Sequence, residues 1–190
     1  MSAIYCLRCG HGLTRKLPPG DSLSRLCCMQ CGFIYYENPK LLVACILYAG
    51  NKLLWMKRAS GPFADRWAIP GGFVELGETV VEAACREVRE ETCLTLDPRE
   101  INIYGVLSLP HINEVHISLI SPLRNQDYAP TPEASELRLM SEVELTDCSR
   151  AFSPGTDSLV HDLYGKLQTE AFKFTPAVLM HVNLSGYKAV

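Results

Sequence analysis

Residues 72–94 constrain this chain more tightly than any other segment. They read Gly-Phe-Val-Glu-Leu-Gly-Glu-Thr-Val-Val-Glu-Ala-Ala-Cys-Arg-Glu-Val-Arg-Glu-Glu-Thr-Cys-Leu. Thr79 followed three residues later by Glu82 is a capping box, so a helix is expected to start there and run to Glu91 or Thr92. A helix turns about 100° per residue, which puts Glu87 and Glu91 on one face with Glu90 beside them. Val80, Val81, Ala84, Cys85 and Val88 form the adjoining apolar face. A solvated acidic helix face is the plain reading. Such faces usually carry compensating Lys at i+4, whereas here Arg86 and Arg89 are the only nearby cations. Carboxylates so close repel one another unless hard cations with a taste for oxygen lie between them.

The cysteines give a second constraint. Cys6-x-x-Cys9 and Cys28-x-x-Cys31 are separated by 18 residues, and glycine follows each pair (Gly10, Gly32). Two such pairs can present four thiolates to a tetrahedral Zn²⁺, with no position left open for chemistry. Cys27 is the spare, because Cys28 keeps the spacing, and His11 is a weaker candidate ligand. A module of about 35 residues has too little core to fold alone, so metal binding would supply its folding energy. Nine cysteines without an apolar leader at the N-terminus favour metal binding over disulfides and a cytoplasmic setting.

Asn38-Pro39 marks a boundary between a Cys-rich module, residues 1–38, and a catalytic domain, residues 39–190. In the second part, residues 41–48 and 53–58 read as a hairpin about Gly50-Asn51. Residues 67–69, 102–108, 115–121 and 137–140 read as further strands, and 155–167 as an amphipathic helix. A last strand is expected within 172–184. The longest apolar run, residues 41–49, is far short of the roughly 20 a membrane helix needs and suits a buried strand. A net charge of −3 argues against general nucleic-acid binding.

The pattern Gly72-x₅-Glu78-x₇-Arg86-Glu87-Val88-x-Glu90-Glu91-x-Cys93-Leu94 resembles the Nudix box, in which a bulky aliphatic follows R-E and ends the motif. Eight of the nine specified positions agree. The exception is Cys93, where the family has the glycine that ends the helix at positive φ. The flank Trp67-Ala-Ile-Pro-Gly71 also looks like the family's entry to the box. The resemblance implies an α+β chain: a Nudix α/β/α sandwich on a mixed sheet, here behind a small zinc ribbon. It implies that Glu87, Glu91, Glu90 and the Gly71 carbonyl hold Mg²⁺ or Mn²⁺, and that Arg86 and Glu78 brace the loop and helix. It further implies an acidic residue beyond the box as base or added ligand. Glu133 and Glu136 are the candidates, Glu133 slightly preferred.

The resemblance also implies a nucleotide-type substrate cut at its pyrophosphate, and a homodimer. Arg58, Arg66 and Lys57 are candidates for substrate phosphates and His111 for another substrate contact, while Phe63, Trp67 and Tyr104 could stack on a ring or simply fill the core. Ribbon-bearing NADH pyrophosphatases carry an S-Q-P-W-P-F-P-x-S motif that is absent here. The chain looks closer to the group containing FAD and ADP-ribose pyrophosphatases, with hydrolysis of NADH or NAD-capped RNA as the alternative. A nucleotide sensor is a third option, disfavoured because every box carboxylate is kept.

Overall fold

The cysteine pairs and the carboxylate segment fall in separate units of the structure, a computed structural model that describes residues 4–151 and 155–168. The units are Met1–Asn38 and Pro39–Val190.

In the first unit, β1 (Leu13–Lys16), β2 (Arg25–Cys28) and β3 (Ile34–Tyr35) form an antiparallel sheet in that order. Each cysteine pair sits in a tight turn closed by its glycine. Gly10 N–H donates to the Cys6 carbonyl at 2.9 Å and Gly32 N–H to that of Cys28 at 3.1 Å. Both glycines have φ near +70° (75° and 71°), where a Cβ is costly.

The second unit is built on β4 (Lys40–Ala49), β5 (Lys52–Arg58), β6 (Trp67–Ala68), β7 (Gly71–Phe73), β8 (Asn102–Leu109), β9 (Glu114–Pro122) and β10 (Ala134–Met140). The main sheet runs β10-β5-β4-β9-β8, with β6 beside β5 and β7 beside β4. It is mixed, because β4 and β9 are parallel and the other pairs antiparallel.

The strand period of two divides the core. Val43, Cys45, Leu47 and Leu119 face helix α1 (Val80–Thr92), packing on Ala83, Ala84 and Val88. Ile46, Ile120, Leu53 and Trp55 face the opposite way. They pack with Leu145 of α2 (Glu142–Thr146) and with Leu159, Leu163 and Tyr164 of α3 (Gly155–Leu167). Trp55 Nε1 donates to the Tyr164 hydroxyl at 3.1 Å, and that hydroxyl donates to the Met140 carbonyl at 2.8 Å. The result is a helix–sheet–helix sandwich.

Helix α1 starts as expected, with the reciprocal Thr79–Glu82 capping box. It ends on Cys93, which takes the left-handed conformation itself (φ 64°) and donates its N–H to the Arg89 carbonyl. The missing glycine therefore leaves the helix end in place, at the cost of a Cβ in an unfavourable region. Glu136 lies inside β10 rather than on the preceding loop. The pairing of β10 with β5 begins already at Ala134, three residues before the expected start. The strand expected in residues 172–184 lies outside the described residues. Among the described residues no helix is long and apolar enough to cross a membrane.

Candidate functional site

The site arises where β4 changes neighbours. β7 pairs with the first half of β4, Leu42 to Phe73 and Ala44 to Gly71. β5 pairs with its far end, Tyr48 to Leu53. Between these pairings a cleft of about 420 Å³ opens, and α1 can reach it past two residues without side chains. A Cβ on Gly72 would lie 2.3 Å from Glu87 Oε1. A Cβ on Gly71 would lie 2.1 Å from the Val43 carbonyl oxygen of the paired strand. Gly71 thus permits the strand pairing, and Gly72 permits the carboxylate to lie against β7.

Glu87, Glu91 and Glu133 line this cleft, with Arg58 beside them. Glu91 is 3% exposed, and its Oε2 accepts the Gly71 N–H at 2.8 Å. Burial pushes its carboxyl up to about 8, only partly opposed by that hydrogen bond, with Glu87 and Glu133 adding repulsion. Burial also raises Glu87, against the lowering effect of Arg86. Buried, mutually repelling carboxylate oxygens lining one cleft fit a hard divalent cation. They do not form a closed cage. Among the described residues the only group of three or more ligand atoms gathered within 4.8 Å is the cysteine set. A divalent ion held by Glu87 and Glu91 would therefore draw its remaining ligands from water or substrate oxygens.

Arg86 organises the rest of the segment. Its Nε and Nη2 donate to Glu78 at 3.1 and 2.7 Å. Nη1 donates to Glu87 at 2.7 Å and to Glu90 at 3.2 Å, and Nη2 also reaches the Phe73 carbonyl at 3.0 Å. One guanidinium thus ties the loop, β7 and the helix together, and it holds the Glu78 carboxyl below its ordinary value. Glu90 is exposed and turned to Arg86, and it is not among the cleft's lining residues.

Several other sequence candidates lie elsewhere. Glu136 pairs with Arg138, Lys57 with Asp65, and the Arg66 guanidinium stacks over Phe63. His111 is exposed in the β8–β9 turn. Trp67 and Tyr104 are buried in the core, Tyr104 donating to Asp162 at 2.7 Å. None of these lines the cleft. Glu114 and His116 do, and no motif pointed to them. The available signal was parity: in β9, Glu114, His116 and Ser118 fall on one face, while Val115, Ile117 and Leu119 fall on the other.

In the first unit, Cys6, Cys9, Cys28 and Cys31 bring their sulfurs within 4.8 Å of one another, and Cys27 and His11 stand outside the set. Cys6 and Cys31 are 3.6 Å apart, and Cys9 and Cys28 are 3.4 Å apart. These distances are far too long for disulfides of about 2.05 Å, and close to the roughly 3.8 Å edge of a tetrahedron with Zn–S near 2.3 Å. Backbone N–H groups of Cys31 and Gln30 lower the Cys28 thiol toward the thiolate a metal requires. Against the His11 backbone N–H, burial and the neighbouring thiols raise Cys9, as expected when sulfurs this close share their protons without a metal.

A mixed sheet between helices, with a glutamate helix closing on a Gly-Gly strand, defines a Nudix-type catalytic fold. The NUDIX domain model matches residues 39–161, and the zinc-ribbon model described as Nudix N-terminal matches residues 5–37. The chain belongs to the Nudix hydrolase family, whose members use divalent metals. It is similar to a NUDIX hydrolase from Nitrosomonas europaea, at 33% identity and a TM-score of 0.77, covering 94% of this chain and 98% of that one. It is 47% identical over 75 residues to an ADP-ribose pyrophosphatase from Methanocaldococcus jannaschii, 40% of this chain and 43% of that protein. An oxidized purine nucleoside triphosphate hydrolase from Danio rerio is 33% identical over 104 residues, 54% of this chain and 65% of that protein. The chain thus spans less than two thirds of these two curated relatives.

Proposed function

We propose that this protein hydrolyses the pyrophosphate of a nucleoside diphosphate joined to a second moiety, with ADP-ribose the leading substrate and FAD next. The observation that carries the reading is the convergence of Glu87, Glu91 and Glu133 on one cleft beside Gly71 and Gly72. The likeness to an ADP-ribose pyrophosphatase supports the choice of substrate.

In this reading Glu87, Glu91 and the Gly71 carbonyl hold Mg²⁺ or Mn²⁺. When bound, the cations neutralise the diphosphate and make water a better nucleophile at neutral pH. Arg58 offers its charge to a phosphate oxygen. Glu133, exposed on the cleft's lip, accepts the proton of the attacking water or adds a carboxylate to the metal site. Arg86 and Glu78 position the helix, and Glu90 steadies Arg86. The four cysteines hold a structural Zn²⁺ in an N-terminal domain, residues 1–38, ahead of a catalytic domain, residues 39–190. On the family resemblance alone, the reading extends to a cytoplasmic homodimer.

The test is a metal-dependent assay over ADP-ribose, FAD, NADH and a dinucleoside polyphosphate, with products identified. A nucleoside monophosphate should appear with the other phosphorylated half. Glu91→Gln should keep the fold and lose nearly all turnover. Wild-type turnover in that variant would overturn the role given to Glu91.

A further inference from the structure

The carboxylates of α1 occupy one end of the cleft, and the other end carries a polar pair that the proposed reaction does not use. Glu114 and His116 both line the cleft from β9. His116 Nε2 lies 2.8 Å from Glu114 Oε2, and the two side chains are only 12% and 19% exposed. A carboxylate can only accept, so the imidazole nitrogen carries the hydrogen.

The register fixes where this pair stands. Leu42 is opposite Phe73 on one side and His116 on the other. Phe73, Leu42 and His116 therefore form one row across three strands, and Lys40 and Glu114 are paired two residues along. At about 4.8 Å between strands, His116 sits roughly 10 Å from β7, where Glu87 lies against Gly72. Lys40, although opposite Glu114 in register, carries its ammonium over the Phe73 ring at 5.4 Å. Among the described residues, the cation-capable group on Glu114 is thus His116, and its contact is made to Oε2.

A further half-buried carboxylate is a poor companion for a polyanion. It repels phosphate, and it can offer nothing but hydrogen-bond acceptance. What it takes must carry no negative charge and be rich in donors. Paired hydroxyls meet that need, and a carboxylate reading ribose hydroxyls is a recurrent solution in nucleotide sites. Leu42, between this pair and Phe73, gives the same floor an apolar patch for the sugar's carbon face.

We infer that Glu114, held by His116, is a specificity-determining residue that binds the vicinal hydroxyls of a substrate ribose. Glu114 makes the contact and His116 is a positioning residue. The inference rests on the pyrophosphatase reading and deepens it.

A symmetric probe avoids asking which half of the substrate lies at this end. The methylene-bridged analogue of diadenosine diphosphate resists cleavage and carries the same ribose on both sides. Its binding in Mg²⁺ is measured by calorimetry beside its bis-2′-deoxy, bis-3′-deoxy and diinosine counterparts. A charge-assisted hydrogen bond contributes about 1.5–3 kcal/mol, or roughly ten- to hundredfold. The wild type should prefer the ribo form to each deoxy form by at least about tenfold. Glu114→Gln and His116→Ala should shrink that preference to within about threefold, while His116→Gln, which keeps an N–H near the same place, should retain most of it. Equal binding of ribo and deoxy forms by the wild type would overturn the inference, as would full discrimination in Glu114→Gln. A preference that followed the adenine amino group, lost with diinosine and unmoved by the sugar, would overturn it too. Metal-dependent cleavage of ADP-ribose by a protein blind to the deoxy changes would remove the ribose subsite and keep the hydrolase. Ribose discrimination without any cleavage would do the reverse.

Discussion

Adjacent glycines in β7 should fail in opposite ways when each is given a single methyl group. At Gly72 an added Cβ would meet Glu87 Oε1 at 2.3 Å, Cδ at 2.5 Å and Oε2 at 2.8 Å. All three atoms belong to the far end of a flexible side chain, so the clash is relieved by moving the carboxylate about 1 Å to reach ordinary contact. The fold should survive, with a melting temperature within a few degrees of wild type. Catalysis should not, because a misplacement of about 1 Å in a catalytic group costs on the order of a hundredfold. At Gly71 the same methyl would lie 2.1 Å from the Val43 carbonyl oxygen and 2.9 Å from the Ala44 Cα. Those are backbone atoms of the paired strand, and they cannot step aside without breaking the β4–β7 ladder. Gly71→Ala should therefore lose stability by about 3 kcal/mol, the upper part of the range for single substitutions. Thermal melts and kcat/KM on ADP-ribose, measured for both variants, separate the cases. Wild-type kcat/KM in Gly72→Ala, or equal destabilisation by both, would refute the assignment of the close approach to Glu87.

Three further outcomes follow from single residues. The carboxyl of buried Glu91 is raised to about 8, above its unfolded value near 4.5, so the folded state holds a proton that the unfolded state releases. Stability should then fall as pH rises from 6 to 8 without added divalent ion, and Mg²⁺ or Glu91→Gln should flatten that slope in thermal melts; a wild-type slope unaffected by either would count against it. Cys93→Gly should raise stability by about 1 kcal/mol, or roughly 2–4 °C in Tm, because glycine holds φ near the observed 64° without a Cβ penalty; a lower Tm would show that the Cys93 side chain earns its place by packing. Cys28→Ser should release zinc by elemental analysis and lower the protease resistance of residues 1–38, whereas unchanged zinc content would refute the four-thiol site.

The parts legible in the sequence were those whose information is local. Thr79 and Glu82 are three residues apart and cap the helix together, so the start of α1 could be placed to the residue. The two cysteine turns each carry their own spacing and glycine, so the pairing of Cys6, Cys9, Cys28 and Cys31 needed no knowledge of the fold. The cleft is assembled from distant segments, and there the reading thinned. Whether Glu133 or Glu136 enters depends on where β10 begins pairing with β5, and that register is set across some 75 residues of chain (Ala134 to Arg58). Glu136 falls inside the strand and is drawn to Arg138, while Glu133 remains on the lip. His111, the histidine the sequence offers for a substrate contact, lies exposed in the β8–β9 turn. His116 reaches the cleft because β9 runs parallel to β4 and puts it opposite Leu42.

This division between local and distant information also explains why the acidic end is unfavourable in isolation. The capping box, the Arg86 network and the apolar face of α1 all stabilise the helix as such. The packing of that face on Val43, Cys45 and Leu119 then drags Glu91 under the sheet edge, whatever the carboxylate would prefer. A single hydrogen bond from Gly71 does not offset the desolvation, since the carboxyl stays raised. Replacing a buried polar group of this kind by an uncharged one often improves stability, so Glu91→Gln should melt higher than wild type when divalent ions are absent and lose that advantage when they are added. A group that weakens the fold alone and ceases to do so with a cation is the behaviour expected of a site kept for chemistry. Equal melting of the two proteins in both conditions would mean that Glu91 is already satisfied by the protein, and the reason for its burial would have to be sought in packing instead.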